Sequence, residues 1–203
     1  KKTKLLIGPK YCLLKKDILK YSIKNIFKKK LSSILIIFSG TDKYNFTNKT
    51  INVLSKFNLS KIKINIVITN NNLYQKIITK NCKKNNFSLY IQPDNIGKII
   101  KNADFAITPG GVITWEKLYF RLPSIVVATS YNQEKAMKDL SKTNSIIYLG
   151  KLLKSYENKL FHELSKILKN KKLFLKTKKN ISITIDGNGA KRIYNYLTTK
   201  INR

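Results

Sequence analysis

From residue 32 onward the chain alternates short apolar runs with segments of helical periodicity, and that alternation restricts what it can fold into. Apolar stretches at 33–38, 62–68, 87–91, 103–107, 124–128 and 145–149 are strand-sized. Between them, 46–57, 73–81, 96–101, 112–120 and 133–141 read as helices; in the first of these, Ile51, Val53, Leu54 and Phe57 point inward. A run that is apolar throughout suits a strand covered on both faces. A helix of about ten residues between two such runs returns the chain for parallel pairing. The pattern predicts an α/β fold: a single doubly wound, Rossmann-like, mostly parallel sheet with helices on both faces. After residue 151 the chain reads as helical, at 156–168, 171–180 and 187–197. Ahead of the alternation, Ile18, Leu19, Tyr21, Ile23, Ile26 and Phe27 are spaced as in a helix over 17–27. Residues 1–30 are therefore expected to form a lead-in linker and helix, and 31–203 the domain.

Length and composition allow a proper core: 203 residues, 42% of them hydrophobic. The net charge is +31. Taken alone, such a charge points to a polyanion. Arginine occurs only at Arg121, Arg192 and Arg203, however, and the lysines run from end to end among abundant asparagine and isoleucine. Nucleic-acid binders use arginine heavily and cluster it on one face. The excess is read as compositional drift, and no nucleic-acid partner is expected. No apolar run approaches the roughly 20 residues a bilayer span needs, so no transmembrane segment is expected. Cys12 and Cys82 are isolated and no CxxC or His/Cys cluster exists, so neither a metal nor a cofactor is expected. Two unpaired cysteines fit a reduced, cytoplasmic setting.

In doubly wound sheets, ligands bind outside the carboxyl ends of the strands. Four polar turns follow predicted strands. The first is Ser39, Gly40, Thr41 and Asp42, with Asn45 behind it. It suits a phosphate held on backbone N–H groups, or equally a tight turn in which Asp42 or Thr47 caps the next helix. The second contains Pro93 and Asp94 and leads to Ile96. The third is Gly110, Gly111, Val112, Ile113 and Thr114, with Glu116 about a turn into the helix. Paired glycines admit close approach, and a carboxylate accepts two O–H donors, as a vicinal diol offers. Glu116 is equally an ordinary acid at a helix start. The fourth contains Asn132 and Gln133, amides that bond a sugar or diphosphate, or that cap a helix. His162, the only histidine, falls in a lysine-rich helix, and no Ser/His/Asp set forms around it.

Motifs in order along the chain resemble one family. Leu6-Ile7-Gly8-Pro9-Lys10-Tyr11-Cys12-Leu13-Leu14 is similar to LLGPxYxLLR. Phe38-Ser39-Gly40-Thr41-Asp42 with Asn45 is similar to FGGxDxxN. Ala103-Asp104-Phe105-Ala106-Ile107, Gly110-Gly111 and Thr114-Trp115-Glu116 follow ADLAIxxGGxTxWE, and Leu122-Pro123-Ser124-Ile125-Val126 and Asn132-Gln133 follow LPSIV and NQ. Asp186-Gly187-Asn188-Gly189-Ala190-Lys191-Arg192 resembles DGxGAxR. These are motifs of UDP-2,4-diacetamido-2,4,6-trideoxy-β-L-altropyranose hydrolases of pseudaminic acid biosynthesis. More distantly, the chain resembles the C-terminal domain of MurG-type GT-B glycosyltransferases. Ser39 departs from the first glycine of its motif, and Pro109 precedes the glycine pair.

The resemblance implies the C-terminal half of a GT-B fold that binds a UDP-sugar. It implies that Glu116 holds the ribose hydroxyls and that the turn carrying Pro93, Asp94 and Ile96 holds uracil through backbone groups. The glycine turns (Ser39 to Asn45 and Gly110 to Thr114) and the amides Asn132 and Gln133 would face diphosphate and sugar. The histidine expected to activate water belongs to an N-terminal domain, so no catalytic residue is expected in this chain. Its partner would be that domain, encoded upstream or supplied separately. Hydrolysis of the UDP-sugar is the leading expectation, transfer to an acceptor the alternative, and a basic RNA- or membrane-binding module a remote third.

Overall fold

The computed structural model describes residues 3–21, 30–38, 40–151, 154–179, 181 and 185–201. Six parallel strands form one sheet: β1 (Ser33–Ile37), β2 (Lys63–Ile68), β3 (Ser88–Ile91), β4 (Phe105–Pro109), β5 (Ser124–Val127) and β6 (Ile147–Tyr148). Their order is β3-β2-β1-β4-β5-β6. The helices between them are α2 (Phe46–Leu54), α3 (Gln75–Lys84), α4 (Ile96–Asn102), α5 (Ile113–Tyr119) and α6 (Tyr131–Lys142). A short α1 (Lys16–Leu19) precedes the sheet, and α7 (Tyr156–Lys169), α8 (Lys171–Lys179) and α9 (Gly189–Ile201) follow it.

The period of two along each strand divides the core into two layers. In β1, Ile34 and Ile36 pack into one cluster and Leu35 into the other, all at 0–1% exposure. Phe105 and Ile107 against Ala106 repeat the split in β4, and Ile125 and Val127 against Val126 repeat it in β5. The first layer is closed by residues of α2, α3, α7 and α8, such as Leu54, Ile78, Leu160 and Phe174. The second is closed from α1, α4, α5 and α6 by Ile18, Ile100, Leu118 and Met137. Each fully buried isoleucine contributes roughly 1.5–3 kcal/mol relative to exposure. The central strands therefore carry most of the hydrophobic stabilisation, while Ser88 to Ile91 at the edge are only partly covered.

Among the boundaries that differ from the periodicity reading, such as α2 ending at Leu54 and β6 shortened to Ile147–Tyr148, two concern the rim and the lead-in. β4 runs on to Pro109, paired with Val127, rather than ending at Ile107. Gly110 N donates to Val127 O, so by alternation the Pro109 nitrogen faces β1, where the ladder has already stopped at Ile107. No ladder bond is lost, and proline is tolerated there. The lead-in helix expected over 17–27 is seen as the four residues of α1; residues 22–29 lie outside the described ones.

The lead-in is nevertheless part of the packed structure. Ile18 is fully buried in the second layer. Arg192 of α9 donates to Lys10 O at 2.9 Å and pairs with Asp186. A Cβ on Gly189 would meet Cys12 O at 2.1 Å, so only glycine lets α9 start against this segment. The DGxGAxR motif is thus a docking turn for the last helix. Among the described residues no helix is long and apolar enough to cross a membrane.

Candidate functional site

The strand order reverses between β1 and β4, and the crevice at their carboxyl ends is where such sheets hold ligands. Three of the four predicted turns converge there, because β1, β4 and β5 are neighbours. The fourth follows β3 at the sheet edge and leads into α4, which returns toward β1 and packs against α5.

The turn after β1 is built around Asp42. Its φ is +44°, it is buried, and its carboxylate oxygens accept from Phe46 N at 2.9 Å and Thr47 N at 2.8 Å. Both oxygens are committed to capping α2, so Asp42 gives the rim the shape of its turn. Burial still raises its pKa despite these bonds and the positive charge of Lys49. Asn45 adopts the left-handed region at φ +57°, and its Oδ1 is buried without a hydrogen bond. Gly40 O accepts from Thr69 Oγ1 at 2.7 Å, and Thr41 is exposed. Ser39 lies outside the described residues. Beneath the turn, Phe46 meets Phe38 and Tyr156 in an aromatic cluster, with Thr50 Oγ1 and Tyr156 Oη 2.6 Å apart.

The turn after β4 is tied to α6. A Cβ on Gly110 would lie 2.5 Å from Met137 Cγ and 3.3 Å from Gln133 Cβ. Glycine at 110 is therefore required by the close approach of α6, which the sequence reading assigned to a ligand. At Gly111 a Cβ would make only an ordinary contact, 3.7 Å from Gln133 Nε2. Gln133 Oε1 accepts from Thr129 N at 3.0 Å, which sets its amide beside the glycine pair. Asn132 is exposed and accepts from Ser130 Oγ at 2.6 Å. Val112 is exposed and Ile113 half-buried, while Thr114 is buried and donates to Pro109 O at 3.3 Å. In the β3 turn, Pro93 and Ile96 are half-buried and Asp94 is exposed.

Glu116 is the chemically distinctive member of the set. It is 3% exposed, and its Oε1 is buried with no hydrogen-bond donor. Lys15 Nζ stands 3.9 Å away, an ion-pair distance beyond hydrogen-bond reach. Burial raises the carboxyl pKa, Lys15 lowers it, and Asp17 raises it again. Burial, and after it the Glu116 carboxylate, pushes the Cys12 thiol up to about 11. An acceptor left open in such a place costs about 1–3 kcal/mol unless something donates to it.

Three further residues at this rim belong to none of the four predicted turns. Lys15 and Asp17 come from the lead-in and face Glu116. Lys117 is fully buried, and its Nζ donates to Thr108 Oγ1 at 3.1 Å and to Ser124 Oγ. Burial holds its pKa well below the ordinary lysine value. The signal was available, because Lys117 is three residues after Thr114 and one before Leu118, on the inward stripe of α5.

Two hollows lie away from this rim. One of about 650 Å³ is at the amino ends of β1–β3, lined by Ser32, Phe57, Lys61 and Phe87. One of about 490 Å³ runs along the outer side of α6, by Glu134 and Lys138. Near the first, Asp104 anchors strand ends, accepting from Ser32 N and Ser33 N at 3.0 Å. The rim is singled out by its chemistry and topology.

A family model described as the glycosyltransferase family 28 C-terminal domain matches residues 34–194. The chain belongs to that family. It is 28% identical over 165 residues to an uncharacterized protein of Methanocaldococcus jannaschii, covering 76% of this chain and 33% of that protein. It is 22% identical over 193 residues to the spore coat polysaccharide biosynthesis protein SpsG of Bacillus subtilis, covering 94% of this chain and 57% of that one. Among solved structures, MurG of Acinetobacter baumannii superposes with a TM-score of 0.64 at 14% identity, covering 85% of this chain and 51% of MurG. The UDP complex of S. aureus MnaA superposes at 0.62 and 16% identity, covering 90% and 50%. The fold is the Rossmann-like C-terminal domain of GT-B glycosyltransferases. The chain spans between a third and somewhat over half the length of these relatives.

Proposed function

We propose that this chain is the nucleotide-sugar-binding half of a UDP-sugar-dependent glycosyltransferase. The observation that carries the reading is Glu116, a buried carboxylate at the carboxyl rim with one oxygen open to a donor. When ionised it offers acceptors only, and two vicinal ribose hydroxyls would satisfy it. Lys15, 3.9 Å away, offsets the cost of keeping it charged. Around it, the turn carrying Pro93, Asp94 and Ile96 takes the uracil. The turns at Gly40 to Asn45 and Gly110 to Thr114, with Asn132 and Gln133, face the diphosphate and sugar. Ser39 belongs to the first of these turns by sequence.

Family membership and the UDP complex of MnaA support a UDP-sugar ligand and favour transfer to an acceptor. The hydrolase reading rests on the ordered motif resemblance alone, and water would then replace the acceptor. In either case the attacking group is brought by a second domain, and this chain holds the leaving nucleotide. Titration calorimetry with UDP, set against a short RNA, tests the proposal. Saturable UDP binding is expected. RNA binding with a steep salt dependence and no heat from UDP would contradict it.

A further inference from the structure

Helix α4 begins directly after the turn that carries Pro93, Asp94 and Ile96. Its own first residues leave it uncapped: Asn95 at the N-cap makes no side-chain bond. The cap comes from 80 residues away in sequence, where Asp17 Oδ2 accepts from Gly97 N at 2.7 Å. The seat is closely fitted. A Cβ on Gly97 would meet Asp17 O at 2.7 Å and the Tyr21 ring at 2.9 Å. Lys101 Nζ, one turn along α4, lies 5.5 Å from the centroid of the same ring. Neighbouring Ile18 is fully buried, which fixes Asp17 in the direction of α4. Two residues earlier, Lys15 reaches Glu116. One stretch of lead-in therefore caps the start of α4 and sets a cation 3.9 Å from the carboxylate of α5, two helices that otherwise follow different strands.

We infer that Asp17 is a positioning residue: anchored on Gly97 N–H, it holds the turn at residues 93–96 in register with Glu116 for the nucleoside of the ligand. This rests on the UDP reading and deepens it. A charged acceptor on a helix-start N–H is stronger than a neutral one and is lost completely on truncation to alanine. Without it, α4 is free to slide on the lead-in and the turn loses its fixed distance to the ribose carboxylate. The diphosphate turns, held by Asp42 and by the Gly110–Met137 contact, do not depend on Asp17.

The test is calorimetric affinity of the full chain for UDP and for GDP, in the wild type, Asp17→Ala and Asp17→Asn, with melting temperature recorded alongside. Asp17→Ala is expected to weaken UDP binding roughly tenfold, the order of loss that follows slight misplacement of part of a site. It is also expected to narrow the preference for UDP over GDP. Asp17→Asn, which keeps an acceptor, recovers most of both and serves if the alanine variant fails to fold. A wild type that binds UDP, with variants that melt lower yet keep both affinities, overturns this inference alone. Equal loss of UDP and GDP affinity, or a wild type without preference between them, also overturns it. A wild type that binds no UDP overturns the functional reading as well.

Discussion

A Cβ placed on Gly110 would lie 2.5 Å from Met137 Cγ, so the glycine turn after β4 and the inner face of α6 occupy the same space to within a methyl group. Cores resist even one added carbon, at about 1–3 kcal/mol. Gly110→Ala is expected to lower the free energy of unfolding by that amount in urea titrations. Because α6 also carries Gln133, the variant should bind UDP more weakly. Met137→Ala should cost less in this background than in the wild type, because it also relieves the clash, so the two changes are non-additive. Strict additivity would mean that the contact does not govern the turn.

Asp42 supplies the cap of α2 with both carboxylate oxygens. Asp42→Ala should cost about 1–2 kcal/mol, the upper part of the range for a lost N-cap. Asp42→Asn, which retains an acceptor, should cost less. Equilibrium denaturation of the pair checks this. An alanine variant as stable as the wild type would show that the two bonds contribute nothing net.

Lys117 sets a pH dependence whose sign is fixed by its burial. Its folded-state pKa lies well below the ordinary 10.5, so between the two values the unfolded chain binds more protons than the folded one. Stability from this residue therefore rises with pH through that window and levels off below the folded pKa. The slope approaches about 1.4 kcal/mol per pH unit. Burial raises the thiols Cys12 and Cys82 to about 11, which acts in the opposite sense at alkaline pH in any variant. The difference between wild type and Lys117→Met removes their share. Lys117→Met should gain on the wild type as pH falls from 10, measured as denaturation midpoints. Parallel curves would mean that the amine is not held neutral.

The periodicity of apolar residues made the layered sheet and most of its elements legible, because a strand such as Ile34-Leu35-Ile36 buried on both faces leaves a continuous apolar run. The rim at the carboxyl ends followed from connection rules, whereas the order β3-β2-β1-β4-β5-β6 came only with the structure. The origin of the Gly110 requirement was not legible, since its cause is a side chain 27 positions away. Nor was the capping of Gly97 by Asp17, which joins residues 80 apart. Local spacing carries no record of such pairs. Asp42 stood between two roles in sequence because capping and phosphate binding use the same residue types at a helix start. The geometry of its oxygens decides that both face α2.

The unpartnered oxygen of Glu116 is the feature on which a UDP-sugar would depend. The most direct measurement is the calorimetric affinity of wild type and Glu116→Gln for UDP and for 2′-deoxy-UDP. The wild type should prefer UDP, because only UDP presents both ribose hydroxyls to the carboxylate. Glu116→Gln should lose UDP affinity by about tenfold, equivalent to 1.4 kcal/mol, and bind the two nucleotides alike. Its melting temperature should be unchanged or slightly raised near neutral pH, since burial disfavours the charge it removes. Equal affinity of the wild type for UDP and 2′-deoxy-UDP, or a Glu116→Gln protein that keeps the preference, would contradict the assignment of this rim to a UDP-sugar.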